Sequence, residues 1–168
     1  MAGRPLDVDI AQQLLGLGLS RDCQGKHRES ISAYERSEQL ARTFLEPGHP
    51  LIAMAINNRA RALIALDDHA AAEPAFEQAL QMFDAREGQQ TNAAIALNGL
   101  GMVRNAQERR AEAIPFLEKA LKIFETTIGP AAPDCGDVWL NLARAYAHVG
   151  DVERAQQALD NVKRIRGE

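Results

Sequence analysis

Aromatic side chains are scarce in this 168-residue chain: they make up 5% of it, with one Trp, two Tyr and five Phe. Alanine is abundant in their place, and a core so composed is built by closely packed helices. Cysteine is nearly absent. Cys23 and Cys135 lie far apart, with no CxxC partner and no metal-ligand spacing, so both read as reduced packing residues. Long apolar runs are missing too, for no stretch approaches the ~18 uninterrupted apolar residues of a membrane span. The opening MAGRPLDVDIAQQLLGLGL has one arginine and an apolar run broken by Asp7, Asp9, Gln12 and Gln13, unlike a secretory signal. A soluble, cytoplasmic protein without a membrane partner is the expectation. Basic excess is lacking as well: a net charge of −4 and a pI near 5.6 leave little to neutralise a phosphate backbone, which speaks against nucleic acid. At this length one compact domain spanning 1–168 is expected.

What the chain does contain is helical periodicity, most legible in DCGDVWLNLARAYAHVGDVERAQQALDNVKRI (134–165). Trp139, Leu142, Ala143 and Tyr146 recur at i, i+3, i+4 and i+7. After a break at Gly150-Asp151, Ala155, Ala158, Leu159 and Val162 do the same, so the stretch is an αα-hairpin. Three earlier stretches are variations of it. Aligned on the small residue that opens the second helix, Ser30, Ala72, Ala113 and Ala155 fall in register with separations of 42, 41 and 42, the period of a repeat array.

The hairpin resembles the tetratricopeptide repeat (TPR), through Trp139, Leu142 with the small Ala143, Tyr146, Gly150 at the turn and Ala155. Particular words resemble the kinesin-light-chain-like branch of that family. Ile56-Asn57-Asn58, Leu97-Asn98-Gly99-Leu100-Gly101 and Leu140-Asn141-Leu142-Ala143 look like its asparagine-bearing first helix. Ala72-Glu73-Pro74 and Ala113-Ile114-Pro115 look like its second-helix entry, and Glu46-Pro47-Gly48-His49-Pro50 like its Gly-x-His-Pro linker. The resemblance implies an all-α, right-handed α-solenoid of four TPR-like repeats, eight antiparallel helices in all, over approximately 7–45, 50–86, 90–128 and 134–166.

The first unit pairs about Asp7 to Asp22 with about Lys26 to Phe44, using Leu14, Leu17 and Gly18, then Ile31, Tyr34 and Ser37. It is the most degenerate copy, as terminal repeats often are. Pro74 and Pro115 sit about one turn inside their helices. An interior proline costs about 3 kcal/mol and one near the first turn costs little, so entry turns that start late or bend are expected. Asp68 and Asp151 are placed to cap two helices.

In TPR folds the first helices line a concave surface, and the resemblance implies the same here. Asn57, Asn58 and Arg61 share a face of the second unit's first helix. Asn98, Met102 and Asn105 share that of the third, and Asn141, Arg144 and His148 that of the fourth. Arg61, Met102 and Arg144 superpose in register, as do Asn58, Gly99 and Asn141. An asparagine amide both donates and accepts, so it grips the backbone of an extended peptide. Arginine adds a fork that fits a carboxylate. The expected function is therefore a non-catalytic interaction module that binds an extended, acidic protein or peptide segment in the groove. The bland alternative has the asparagines bonding neighbouring helices and the arginines solvating a surface.

A lysine-arginine-asparagine clamp for the acidic end of heat-shock chaperones does not carry over. Leu15 and Leu19 stand at the first unit's places, Asn58 remains, and Ile95 and Gly99 stand where charge is needed. Starting one unit later would set Asp137 against the carboxylate. Enzyme chemistry is not expected either. His49 belongs to a linker, His27 and His69 to helix starts and His148 to the groove rim. There is no HExxH, paired Cys/His set or nucleophile elbow, and Gly16-Leu17-Gly18 lacks the lysine of a phosphate loop. No catalytic residue, metal or cofactor is assigned. The rival function is a self-assembling scaffold, a homo-oligomer that stacks through its terminal helices, with Ala158 and Ile165 as a second apolar strip on the last one.

Overall fold

The computed structural model describes residues 5–168; the first four, including the arginine weighed in reading the N-terminus, lie outside the described residues. Among the described residues the regular structure is all helical, in eight helices that pair as four TPR-like hairpins: α1 (Pro5–Cys23) with α2 (His27–Phe44), α3 (Pro50–Ala65) with α4 (His69–Asp84), α5 (Gln90–Ala106) with α6 (Arg110–Thr127), and α7 (Pro133–His148) with α8 (Val152–Arg166). The chain divides into two compact units, Met1–Glu87 and Gly88–Glu168. In the first, α2 packs between α1 and α3, and α4 closes on α3; in the second, α6 packs between α5 and α7, and α8 closes on α7.

One turn joins the helices of every hairpin. Gly25, Asp67, Glu108 and Gly150 occupy the same register position, and all four have a positive φ, of 71°, 63°, 62° and 82°. In each case the next N–H bonds back five residues, from Lys26, Asp68, Arg109 and Asp151 to the carbonyls of Arg21, Leu63, Arg104 and Tyr146, all at 2.9 Å. This is the Schellman closure, which favours glycine at its left-handed residue. Glu108 is therefore held where a Cβ is disfavoured. Glu108→Gly should raise stability by about 1 kcal/mol, read as a higher urea midpoint at unchanged slope.

Two of these turns also carry the expected caps. The carboxylate of Asp68 accepts from the Ala71 N–H at 3.1 Å, and that of Asp151 from the Arg154 N–H at 3.0 Å. The latter bond, together with the Arg154 guanidinium, holds the Asp151 carboxyl below its ordinary range. A third cap is His49, whose Nδ1 accepts from the Leu51 N–H at 3.2 Å, just before Pro50 at the first turn of α3.

The seam within each hairpin alternates small and large residues. Gly18, Ala60, Gly101 and Ala143 are the small members on the first helices and are all buried. Where glycine fills the position the fit is closest: a Cβ on Gly18 would lie 2.3 Å from the ring of Tyr34, and one on Gly101 would lie 2.4 Å from the Leu117 side chain. Tyr34 is fixed from its far end, where its hydroxyl donates to Asp22 at 2.7 Å. The same carboxylate accepts from the Ser30 hydroxyl at 2.5 Å and lies 3.2 Å from His27 Nδ1. Burial and the Asp22 bond push the Tyr34 phenol well above its ordinary range. Tyr146, buried and donating to Glu118 at 2.6 Å, is pushed up to about 12, burial being the larger cause. Both hydroxyls thus stay protonated as donors well into the alkaline range.

Four expectations need correction. Cys23 is exposed at the end of α1 and is not a packing residue, whereas Cys135 is buried. In α1 the core stripe is Ala11, Leu15 and Gly18, while Leu17 is exposed; the helix is apolar on several sides, so periodicity alone does not select the phase. α4 and α6 do not start late, for they begin five residues ahead of Pro74 and Pro115. The carbonyls those prolines cannot serve belong to Ala70 and Ala111, both on the exposed side, where water can bond them. In α8, Ala158 is fully buried and Ile165 half-buried, with its Cγ2 3.5 Å from where a Cβ on Gly136 would lie, so neither forms a free apolar strip.

Candidate functional site

In the first unit, α3 presents Asn57, Asn58 and Arg61 at graded depth. Asn57 is buried, with its Oδ1 lacking a hydrogen-bond partner among the described residues, Asn58 is half-buried, and Arg61 is exposed. Arg59, two residues earlier, points its guanidinium at α2, with Glu35 at 3.8 Å and Glu38 at 3.5 Å. Adjacent arginines therefore divide the work, Arg59 holding two helices together and Arg61 remaining at the surface.

The second unit builds a denser arrangement on α5 and α7. Asn141 is buried, and its Nδ2 donates to the Oδ1 of Asn98 at 3.1 Å, while its backbone carbonyl accepts from the Nδ2 of Asn105 at 3.1 Å. Three of the expected site residues are thus brought together in one network between two first helices. The Oδ1 of Asn105 is buried without a partner among the described residues. Met102 and Arg144 are exposed alongside this network. His148 is exposed, and its Nδ1 lies 2.9 Å from the Arg110 guanidinium, so it is engaged with the start of α6.

Charge is distributed unevenly over these groups. Among the described residues neither Arg61 nor Arg144 has a carboxylate within ion-pair distance. Arg104, by contrast, reaches Glu112 at 2.6 Å, and Arg154 reaches Asp151 at 2.5 Å while lying 4.5 Å from the Tyr146 ring centroid. An uncommitted guanidinium at the surface offers a forked donor to any carboxylate that arrives. The asparagine network has used part of its capacity internally. The Asn98–Asn141 bond leaves the Asn98 amide hydrogens and the Asn141 oxygen unspent.

The hairpins coincide with a known repeat. Residues 9–85 and 92–166 each match the tetratricopeptide repeat, and together they span most of the chain. The chain belongs to the tetratricopeptide repeat family. Among solved structures, BtubC (BKLC) from P. vanneervenii matches 94% of this chain with a TM-score of 0.78 and 25% identity, over 63% of its own length. Aspartyl phosphate phosphatase F from Bacillus subtilis matches 94% of this chain with a TM-score of 0.82 and 16% identity, over 40% of its own length. The chain therefore spans less than two thirds of either protein. The nearly identical TPR-like repeats of a Podosopora anserina kinesin light chain match at a TM-score of 0.50 and 18% identity, over 97% of both chains. This agrees in fold with the kinesin-light-chain-like words of the sequence. No curated protein matches the sequence.

Sequence reasoning did not find the Asn98–Asn141 pair, nor the Arg110–His148 contact. Both join residues about forty positions apart, and one signal was available: the repeat register sets Asn98 and Asn141 one unit apart, within one position of equivalence.

Proposed function

We propose that this TPR protein is a non-catalytic interaction module whose first-helix faces hold an extended, acidic segment of a partner protein. Arg61 in the first unit and Arg144 in the second are the carboxylate-reading groups, and Met102, at the equivalent position of α5, offers an adaptable apolar contact. Asn58, Asn98 and Asn141 address the backbone of the segment with the capacity their internal bonds leave unspent. Asn57 and Asn105 support the face from beneath, and His148 bounds it. The observation that carries this reading is the pairing pattern of the arginines on the first helices: those at the equivalent positions 61 and 144 are exposed and without a carboxylate among the described residues, while Arg21, Arg59 and Arg104 are paired.

Selection from a displayed random-peptide library tests it. Wild type should enrich acidic peptides, and Arg61→Glu with Arg144→Glu should weaken their binding at least tenfold, about 1.4 kcal/mol, with the helical spectrum unchanged. Equal enrichment by the double variant would overturn the reading.

A further inference from the structure

The first helices alternate in surface chemistry. The register that aligns Gly18, Ala60, Gly101 and Ala143 also aligns Gly16, Asn58, Gly99 and Asn141 and, three residues on, Leu19, Arg61, Met102 and Arg144. α1 and α5 therefore carry glycine with an apolar side chain where α3 and α7 carry asparagine with arginine. Each compact unit holds one helix of either kind in the same order, and within each unit the two touch, α1 against α3 and α5 against α7. In this chemistry the repeating module is a pair of hairpins.

The apolar members are open to solvent, Leu19 at 43% and Met102 at 36%. The position of Leu19 in the chain does not explain its exposure. Arg61 and Arg144 are exposed at the same register although a preceding first helix touches the helix that carries each, so this register faces away from the packed neighbours. Gly16 adds an independent sign. It is exposed within α1, has no positive φ, and a Cβ added to it would meet nothing within 4 Å. Such a glycine weakens the helix relative to alanine and gains nothing in packing. A bare backbone beside an exposed leucine suits the close approach of another chain.

The spacing of the helices limits the form of that chain. Two helices in contact lie about 8–10 Å apart. Polyproline II has three residues per turn and rises about 3.1 Å per residue, so residues i and i+3 emerge on one side about 9 Å apart. A β-strand returns to the same side only at about 7 Å or about 13 Å.

We infer that each unit reads two side chains of the partner segment, an apolar one on Leu19 or Met102 and an acidic one on Arg61 or Arg144, three residues apart in a stretch of polyproline II form. The inference rests on the acidic-segment reading and adds to it a second side chain and a separation. The carboxylate meets an uncommitted guanidinium, and the apolar side chain covers an exposed leucine or methionine.

Sequencing the peptides selected from the displayed library tests it. Those enriched by wild type should pair Leu, Ile, Met or Phe with Asp or Glu at a separation of three residues more often than at one, two or four. The best of them, fluorescently labelled, is then titrated by anisotropy against wild type and a Leu19→Gln, Met102→Gln variant, both substitutions at exposed positions, with the fold verified by circular dichroism. Replacing the apolar residue of the peptide with Ser should weaken binding to wild type about tenfold or more, and binding to the variant less than about threefold. Acidic peptides enriched without the paired apolar residue, or with it at another separation, would overturn the inference and leave the acidic-segment reading intact. An equal loss in wild type and variant would do the same. Enrichment of no acidic peptide would overturn both.

Discussion

Gly18→Ala should destabilise the protein by about 1–3 kcal/mol, although alanine is the better helix former. The added methyl would sit 2.3 Å from the Tyr34 ring, closer than any real contact allows. Tyr34 cannot swing away cheaply. It is buried on all sides, and its hydroxyl is held by Asp22, which also binds Ser30 and lies beside His27. The substitution therefore has to part α1 from α2 or break the Asp22 network, and either route exceeds the gain in helix propensity. Gly16→Ala is the matched control. It lies two residues away in the same helix, with nothing within 4 Å of the added methyl, and should stabilise by about 0.5–1 kcal/mol. Chemical denaturation of the two variants should therefore give shifts of opposite sign. Equal shifts would show that close approach at Gly18 is not what the position demands.

Asn141→Ala should cost about 1–3 kcal/mol in the absence of any ligand. The lost amide donates to Asn98 from within the core, so its removal leaves the Asn98 oxygen without its donor and opens the contact between α5 and α7. In a double-mutant cycle with Asn98→Ala, the two losses should be non-additive by about 0.5 kcal/mol or more. Asn105→Ala should be milder. It forfeits one bond to the Asn141 carbonyl but also removes a buried oxygen that has no partner among the described residues. Additive losses at Asn98 and Asn141, with no coupling, would mean that the pair does not join the helices.

These two cases mark what the sequence makes legible. The hairpins follow from the 3.6-residue period, from the register of Ser30, Ala72, Ala113 and Ala155, and from caps such as Asp68 and Asp151, all local chemistry that a linear reading captures. The phase of α1 is not local. Leu14, Leu15, Leu17 and Leu19 offer an apolar residue on several sides, and only packing against Tyr34 and Ser37 selects Ala11, Leu15 and Gly18. The left-handed turn at Glu108 was likewise hidden, because glutamate carries no turn signal and only its alignment with Gly25 and Gly150 marks the position.

The surface residues divide in the same way. Arg61, Met102 and Arg144 are exposed where the register puts them, since a position that faces outward in one repeat faces outward in the others. The asparagines differ: amide chemistry suits both a ligand and a neighbouring helix, and the sequence does not distinguish them. Asn141 and Asn98 bond to one another, and Asn105 bonds to the Asn141 backbone, so part of the asparagine set joins α5 to α7.

Titration of an acidic peptide into isotope-labelled protein, followed by amide and side-chain NMR shifts, tests the central claim most directly. The account predicts saturable changes on the first helices, at Asn58 and Arg61 of α3, Met102 of α5 and Arg144 of α7. The second helices should remain nearly unchanged, and the response should be lost in the Arg61→Glu, Arg144→Glu variant. Changes confined to α2, α4, α6 and α8, or a response equally strong in the double variant, would contradict it.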